Sequence, residues 1–177
     1  MRRLETGAAR EANGSLSAGE PVLLSGTLYT ARDAAHRRII ELLDAGASLP
    51  FDLEGAAIYY SGPTPAPPGQ VIGSCGPTTS ARMDIYTTRL LECGLSIMVG
   101  KGPRNAQVVA AIKRHGALYL CAVGGAGALI ARHVEDMREV AFPELGCESV
   151  KALTMRDMPL VVGVDPRGGD IFSRDGR

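Results

Sequence analysis

Short apolar runs of strand length alternate with amphipathic stretches of helical period along most of this chain, and glycine marks many of the changes between them. Such alternation points to an α/β domain with a substantially parallel sheet, because each helix carries the chain back to begin the next strand. A strand is expected over 21–30 (PVLLSGTLYT) and a helix over 31–44, where Ala35, Ile39, Leu42 and Leu43 share one face and Gly46 stops it. Further strands are expected at 56–60, 71–74, 95–99, 117–123 and 160–164. Helices are expected at 80–92 and 106–115, and a third leads out of Gly124-Gly125-Ala126-Gly127 through Ala131 and His133. Residues 140–142 read as extended and 148–153 as a short helix. SGPTPAPPGQ, with four prolines, has to be a loop. No repeat or low-complexity tract divides the chain. The reading is one domain over 21–172, preceded by a lead-in or partner-binding arm at 1–20 and followed by a tail at 173–177.

Composition removes several function classes. The formal net charge is zero and Trp is absent, which leaves little for binding a polyanion or stacking on bases, so no nucleic-acid partner is expected. No apolar run approaches the roughly 20 residues that span a bilayer. The first 20 residues begin basic but lack the apolar core of a signal peptide, so a cytoplasmic protein is expected. Cys75, Cys93, Cys121 and Cys147 form no C-x-x-C pair and stand far apart, a poor pattern for zinc or for a cluster held by this chain alone. They read as reduced, mostly buried thiols, and no metal site is expected here. Cys75 lies inside Gly73-Ser74-Cys75-Gly76-Pro77, near a site; a nucleophilic role stays open, without a nearby His in the sequence to support it.

Three strand–loop–helix junctions carry the chemistry: GTLYTARD with Arg32, GPTTSAR with Arg82, and GKGPRN with Lys101 and Arg104. Each puts a cation near a helix start. That end of a helix is already positive, so the arrangement favours an anion between them. The plain alternative pairs Arg32 and Arg82 with Asp33 and Asp84 on the surface. Between Glu92 and Glu135 there is no Asp or Glu, yet Lys101, Arg104, Lys113, Arg114 and Arg132 fall there. A basic face on helix 106–115 accounts for Lys113 and Arg114, but less well for Lys101 between two glycines. The ligand reads as a small carboxylate, not a nucleotide. Only Gly125 and Gly127 fit a dinucleotide loop, Ile130 stands where its third glycine belongs, and no phosphate-binding GxxxxGK[ST] exists. Arg offers a fork matched to a carboxylate, so Arg32, Arg82 and Lys101 together suit a dicarboxylate.

At these residues the chain resembles a known family. GTLYTARDAAH, GPTTSARMD, GKGPRN, YLCAVGGAGALIA, FPELGCESV and DPRGGDIF, in this order, resemble the C-terminal, β-type part of class I fumarases and L-tartrate dehydratases, from about 16 to 172. The resemblance implies a single swivelling β/β/α domain, similar to the mobile domain of aconitase-like enzymes. It implies a hydro-lyase, the β subunit of a two-subunit enzyme, with a 4Fe-4S cluster held by three cysteines of an α subunit and not by this chain. The pairs are expected to assemble further into a homo-oligomer. The matching residues are Arg32, Arg82 and Lys101 as substrate-binding cations and Thr78 as a catalytic hydroxyl. From the residues alone Thr78 reads as a helix N-cap, and only the resemblance sets the catalytic role level with it. His36, one turn after Arg32, either orients site groups or makes a structural hydrogen bond. Asp33 is expected to orient Arg32, and Arg104 to support the site. Two other readings stand beside this one: a non-catalytic, carboxylate-binding regulatory module, and a stand-alone enzyme using one of its own cysteines.

Overall fold

The computed structural model describes residues 1–8 and 14–173. Seven strands are found among these residues: β1 (Arg2–Glu5), β2 (Pro21–Thr30), β3 (Ala57–Tyr59), β4 (Ile97–Gly100), β5 (Leu118–Cys121), β6 (Val134–Ala141) and β7 (Val150–Val164). The α-helices are α1 (Asp33–Asp44), α2 (Asp84–Glu92), α3 (Ala106–His115) and the short α4 (Gly127–Ala131). Strands β1 to β5 lie side by side and parallel. The 15-residue β7 runs antiparallel to both β2 and β5, so the pairings β2-β3-β4-β5-β7-β2 close on themselves. β6 pairs with β7 alone. The fold is mixed α/β, with the parallel portion that the alternation predicts.

The central strands are apolar at successive positions because both faces are covered. Ala57, Tyr59, Ile97, Val99, Leu118 and Leu120 face one core, with Val22, Leu24, Leu28, Leu153, Met155 and Val162. The residues between them, Ile58, Met98 and Tyr119, face a second core against the helices. That core takes Ala35 and Ile39 from α1, Leu90 and Leu91 from α2, and Val108, Ala111 and Ile112 from α3. α3 is bounded by local chemistry: the Asn105 side chain accepts from the Val108 amide at 2.8 Å, and Gly116 ends the helix at φ 63°.

Several elements differ from the sequence reading. Residues 71–74 form no strand; the segment instead folds against the proline loop, where the Thr64 amide donates to the Ser74 carbonyl at 3.0 Å. Residues 80–92 begin as a 3₁₀ turn, Ser80–Met83, before α2. The helix expected at 148–153 is instead the end of a 3₁₀ segment, Pro143–Glu148, and the start of β7. β6 is far longer than the extended piece expected at 140–142, and Phe142 adopts φ 56°. Within the expected lead-in, β1 pairs with β2, and Leu4 and Leu16 are fully buried. Residues 9–13 of the arm and 174–177 of the tail lie outside the described residues. No helix among the described residues is long and apolar enough to cross a membrane.

Candidate active site

The loops beyond the carboxyl ends of the parallel strands carry the candidate residues, the edge at which open α/β sheets bind ligands. The loop after β3 returns to the sheet at Thr78, whose amide donates to the Tyr60 carbonyl at 2.7 Å. Thr79 then bridges to Lys101, and the Ser80 amide donates to the Lys101 carbonyl at 2.9 Å. Two of the three cation-bearing loops are thereby joined backbone to backbone. The approach requires Gly100, where a Cβ would strike the Ser80 hydroxyl and the Tyr60 ring. The loop after β5 closes on the same place. A Cβ on Gly124 would lie 3.7 Å from Lys101 Cδ, and the Cys75 amide donates to the Gly127 carbonyl at 3.1 Å.

Arg82 joins the first two loops. Its Nη2 donates to Thr78 Oγ1 at 2.8 Å and to Asp33 Oδ2, at the start of α1, at 3.0 Å. Thr78 is not an N-cap: the 3₁₀ turn starts from Thr79 without a side-chain cap, and the Thr78 hydroxyl faces Arg82 instead. Asp33 pairs with Arg82 and not with Arg32, which corrects the partner expected for it. Arg32 turns to Glu148, with Nη2 to Oε1 at 3.4 Å. Lys101 is half-buried and forms no ion pair among the described residues. A cation without an ion-pair partner among the described residues, on a loop joined backbone to backbone to the one that carries Thr78, is suited to an external carboxylate.

Residues 3–175 match the family described as Fumarase C-terminus. The chain belongs to that family. It is 42% identical over 153 residues to the class I anaerobic fumarate hydratase of Escherichia coli (strain K12), covering 85% of this chain and 28% of that protein. It is 40% identical over 163 residues to the putative L(+)-tartrate dehydratase subunit beta of Methanocaldococcus jannaschii, covering 89% of this chain and 84% of that protein. Against the L(+)-tartrate dehydratase subunit beta of Escherichia coli (strain K12) it is 35% identical over 162 residues, covering 89% and 79%. The chain therefore spans little more than a quarter of the fumarate hydratase it matches and about four-fifths of the tartrate dehydratase β subunits.

Two further residues singled out in this fumarase C-terminal chain lie beneath the site. His36 is fully buried between Tyr60 and Tyr86, and its Nδ1 lies 2.9 Å from the Arg32 carbonyl. Burial pushes its imidazole down to about 4 against the pull of that carbonyl, so it is neutral at pH 7 and Nδ1 carries the donated proton. Arg104 is buried too. Its Nε donates to Asp84 Oδ1 at 2.6 Å, its Nη2 donates to Thr87 Oγ1 at 2.7 Å, and its guanidinium packs 4.9 Å from the Tyr119 ring centre. Asp84 also accepts from the Asn105 amide at 2.8 Å, while the Tyr119 hydroxyl donates to the Gly102 carbonyl at 2.8 Å and lies 2.9 Å from Ser80 Oγ. This network clamps the Lys101 loop to the Thr78–Arg82 loop.

Cys75 is buried, and desolvation raises its thiol to about 11, which keeps it protonated and a poor nucleophile. Cys93 and Cys121 are half-buried and Cys147 is exposed. Among the described residues no three His, Cys, Asp or Glu converge on a point that could hold a metal ion. Sequence reasoning passed over Glu148; its only trace there was the acid within FPELGCESV.

Proposed function

We propose that this chain is the β part of a two-chain iron–sulfur hydro-lyase that reversibly dehydrates a 2-hydroxy dicarboxylate, malate to fumarate or tartrate to oxaloacetate, and acts only with an α chain. The family and the coverage of the tartrate dehydratase β subunits support the reaction class. The resemblance assigns the 4Fe-4S cluster to the α chain, where an open iron supplies Lewis acidity for a departing hydroxide. The work of this chain is set by the substrate. Taking a proton from the carbon beside a carboxylate builds negative charge on that carboxylate, which needs fixed cations in a closed site. Arg82 and Lys101 have that role, and Arg32 binds a substrate carboxylate. Thr78 carries the proton: Arg82 Nη2 at 2.8 Å stabilises its oxygen when the proton is away. Asp33 holds Arg82, while His36 and Arg104 hold the loops.

The observation that carries this reading is the Arg82 fork, which joins the Thr78 hydroxyl to Asp33 on a loop bonded through its backbone to Lys101, a cation with no ion pair among the described residues. In the full reading the domain swivels to close over the α chain, and the αβ pairs associate into a larger homo-oligomer. The test is Thr78→Val against Thr78→Ser in the αβ complex, assayed with malate, fumarate and tartrate. The serine variant is expected to keep most of the activity and the valine variant to lose about 100-fold or more, the range of a positioned acid–base group. Full activity in the valine variant would remove Thr78 from the chemistry. Carboxylate binding by the αβ complex without turnover of any of the three would favour a regulatory module.

A further inference from the structure

Helix α1 starts without a cap of its own, since Arg32 occupies the N-cap position and its side chain makes no capping bond. The first-turn amide of Ala34 instead donates to Glu148 Oε2 at 3.0 Å, from a residue 114 positions away. The other carboxylate oxygen of Glu148 is the one that pairs with Arg32 Nη2. One acid thus serves a helix end and a guanidinium at once, and both side chains are about three-quarters buried, at 27% and 23% exposed. The other side of Arg32 is also walled. A Cβ on Gly62 would come within 3.0 Å of Arg32 Cδ, 3.1 Å of Nη1 and 3.2 Å of the Cys147 carbonyl.

The placement of Glu148 is itself built in. The Thr30 hydroxyl, at the end of β2, donates to the Ser149 carbonyl at 3.3 Å and accepts from the Lys151 amide at 3.0 Å. This pins the chain just after Glu148 to the strand that leads into Arg32. The arrangement leaves Arg32 Nε buried without an acceptor. A stranded donor of that kind costs stability, and such groups call for a reason beyond packing. A flexible arginine held on two sides has less rotamer freedom left to lose when a ligand arrives.

We propose that Glu148 is a positioning residue, which fixes the direction in which Arg32 presents its guanidinium to a substrate carboxylate. The proposal rests on the reading of Arg32 as a substrate-binding cation. The test uses the αβ complex carrying Glu148→Gln, Glu148→Asp, Arg32→Ala and the double variant Arg32→Ala/Glu148→Gln, with kcat, KM and melting temperature for each. Glutamine keeps an acceptor for the Ala34 amide and removes the charge that orders Arg32. It is expected to lower kcat/KM about tenfold, mainly through KM, as small misplacements of a binding group do. Melting is expected to shift by no more than about 4 °C. Aspartate is expected to recover part of the loss. In the Arg32→Ala background the glutamine change is expected to cost nothing further, because its effect passes through Arg32. Wild-type kinetics in Glu148→Gln, or a loss fully additive with Arg32→Ala, would overturn the proposal while leaving Arg32 in the site. Wild-type kinetics in Arg32→Ala would overturn the site reading and the role of Glu148 with it.

Discussion

Two arginines in neighbouring loops are set apart by what surrounds them. The Arg82 side chain is 47% exposed and shares one nitrogen between a hydroxyl and a carboxylate. Exposed ion pairs contribute about 0–1 kcal/mol, so Arg82→Ala is expected to leave the fold intact. The same is expected of Lys101→Ala, where no ion pair is lost. Each change should lower kcat/KM at least tenfold in the αβ complex, because a bond to a charged group in a closed site contributes about 1.5–3 kcal/mol. Lys113→Ala, on the exposed face of α3, is the control. An equal loss in that control would make the effect one of general charge. Arg104 is the converse case, completely buried against Asp84. Arg104→Ala strands Asp84 and is expected to cost about 3–5 kcal/mol in urea unfolding. A stability loss no larger than that of Arg82→Ala would contradict the clamp. The cations were legible in the sequence because glycine-bearing loops give a charged side chain no core to support. Their acidic partners were not: Asp33 turns away from its neighbour to reach Arg82, and Glu148 reaches Arg32 from far along the chain.

At the scale of elements, legibility tracked burial. β3, β4 and β5 are buried on both faces and bounded by turns, so their apolar runs stood out. β6 reads VEDMREVA and pairs on one side only, so its polar, half-exposed run carries no apolar signature. β7 hid for another reason. Its first half, KALTMRDM, mixes charged and apolar positions at no clean period, and Pro159 separates it from the apolar LVVGV. Its length comes from pairing with β2, β5 and β6 together, a property of the assembled sheet. Helix α1 carries a titratable consequence. An unfolded His36 takes up a proton near pH 6.5, while the buried one does so only at about 4. The unfolded state therefore binds more protons between these values. Stability from neutral His36 is complete above about pH 6.5 and is lost as pH falls toward 4, by on the order of 3 kcal/mol. Urea unfolding of the wild type should weaken more steeply over that range than that of His36→Gln. Parallel pH profiles would show that His36 is not held neutral by the fold.

The whole molecule divides the proposed chemistry between chains. The described residues bring cations and a hydroxyl together at one end of the parallel strands and hold no cluster of metal donors. The chain is similar to most of a β subunit and to just over a quarter of a fumarate hydratase. Neither this chain nor its α chain is expected to catalyse dehydration alone. The most direct measurement is turnover of malate, fumarate and L-tartrate by anaerobically reconstituted α chain, by this chain, and by the mixture, with iron bound to each chain assayed in parallel. Hydro-lyase activity is expected in the mixture only, abolished by Thr78→Val, with iron and sulfide retained on the α chain. Turnover by this chain alone, or a stoichiometric cluster bound to it in the absence of the α chain, would contradict this expectation.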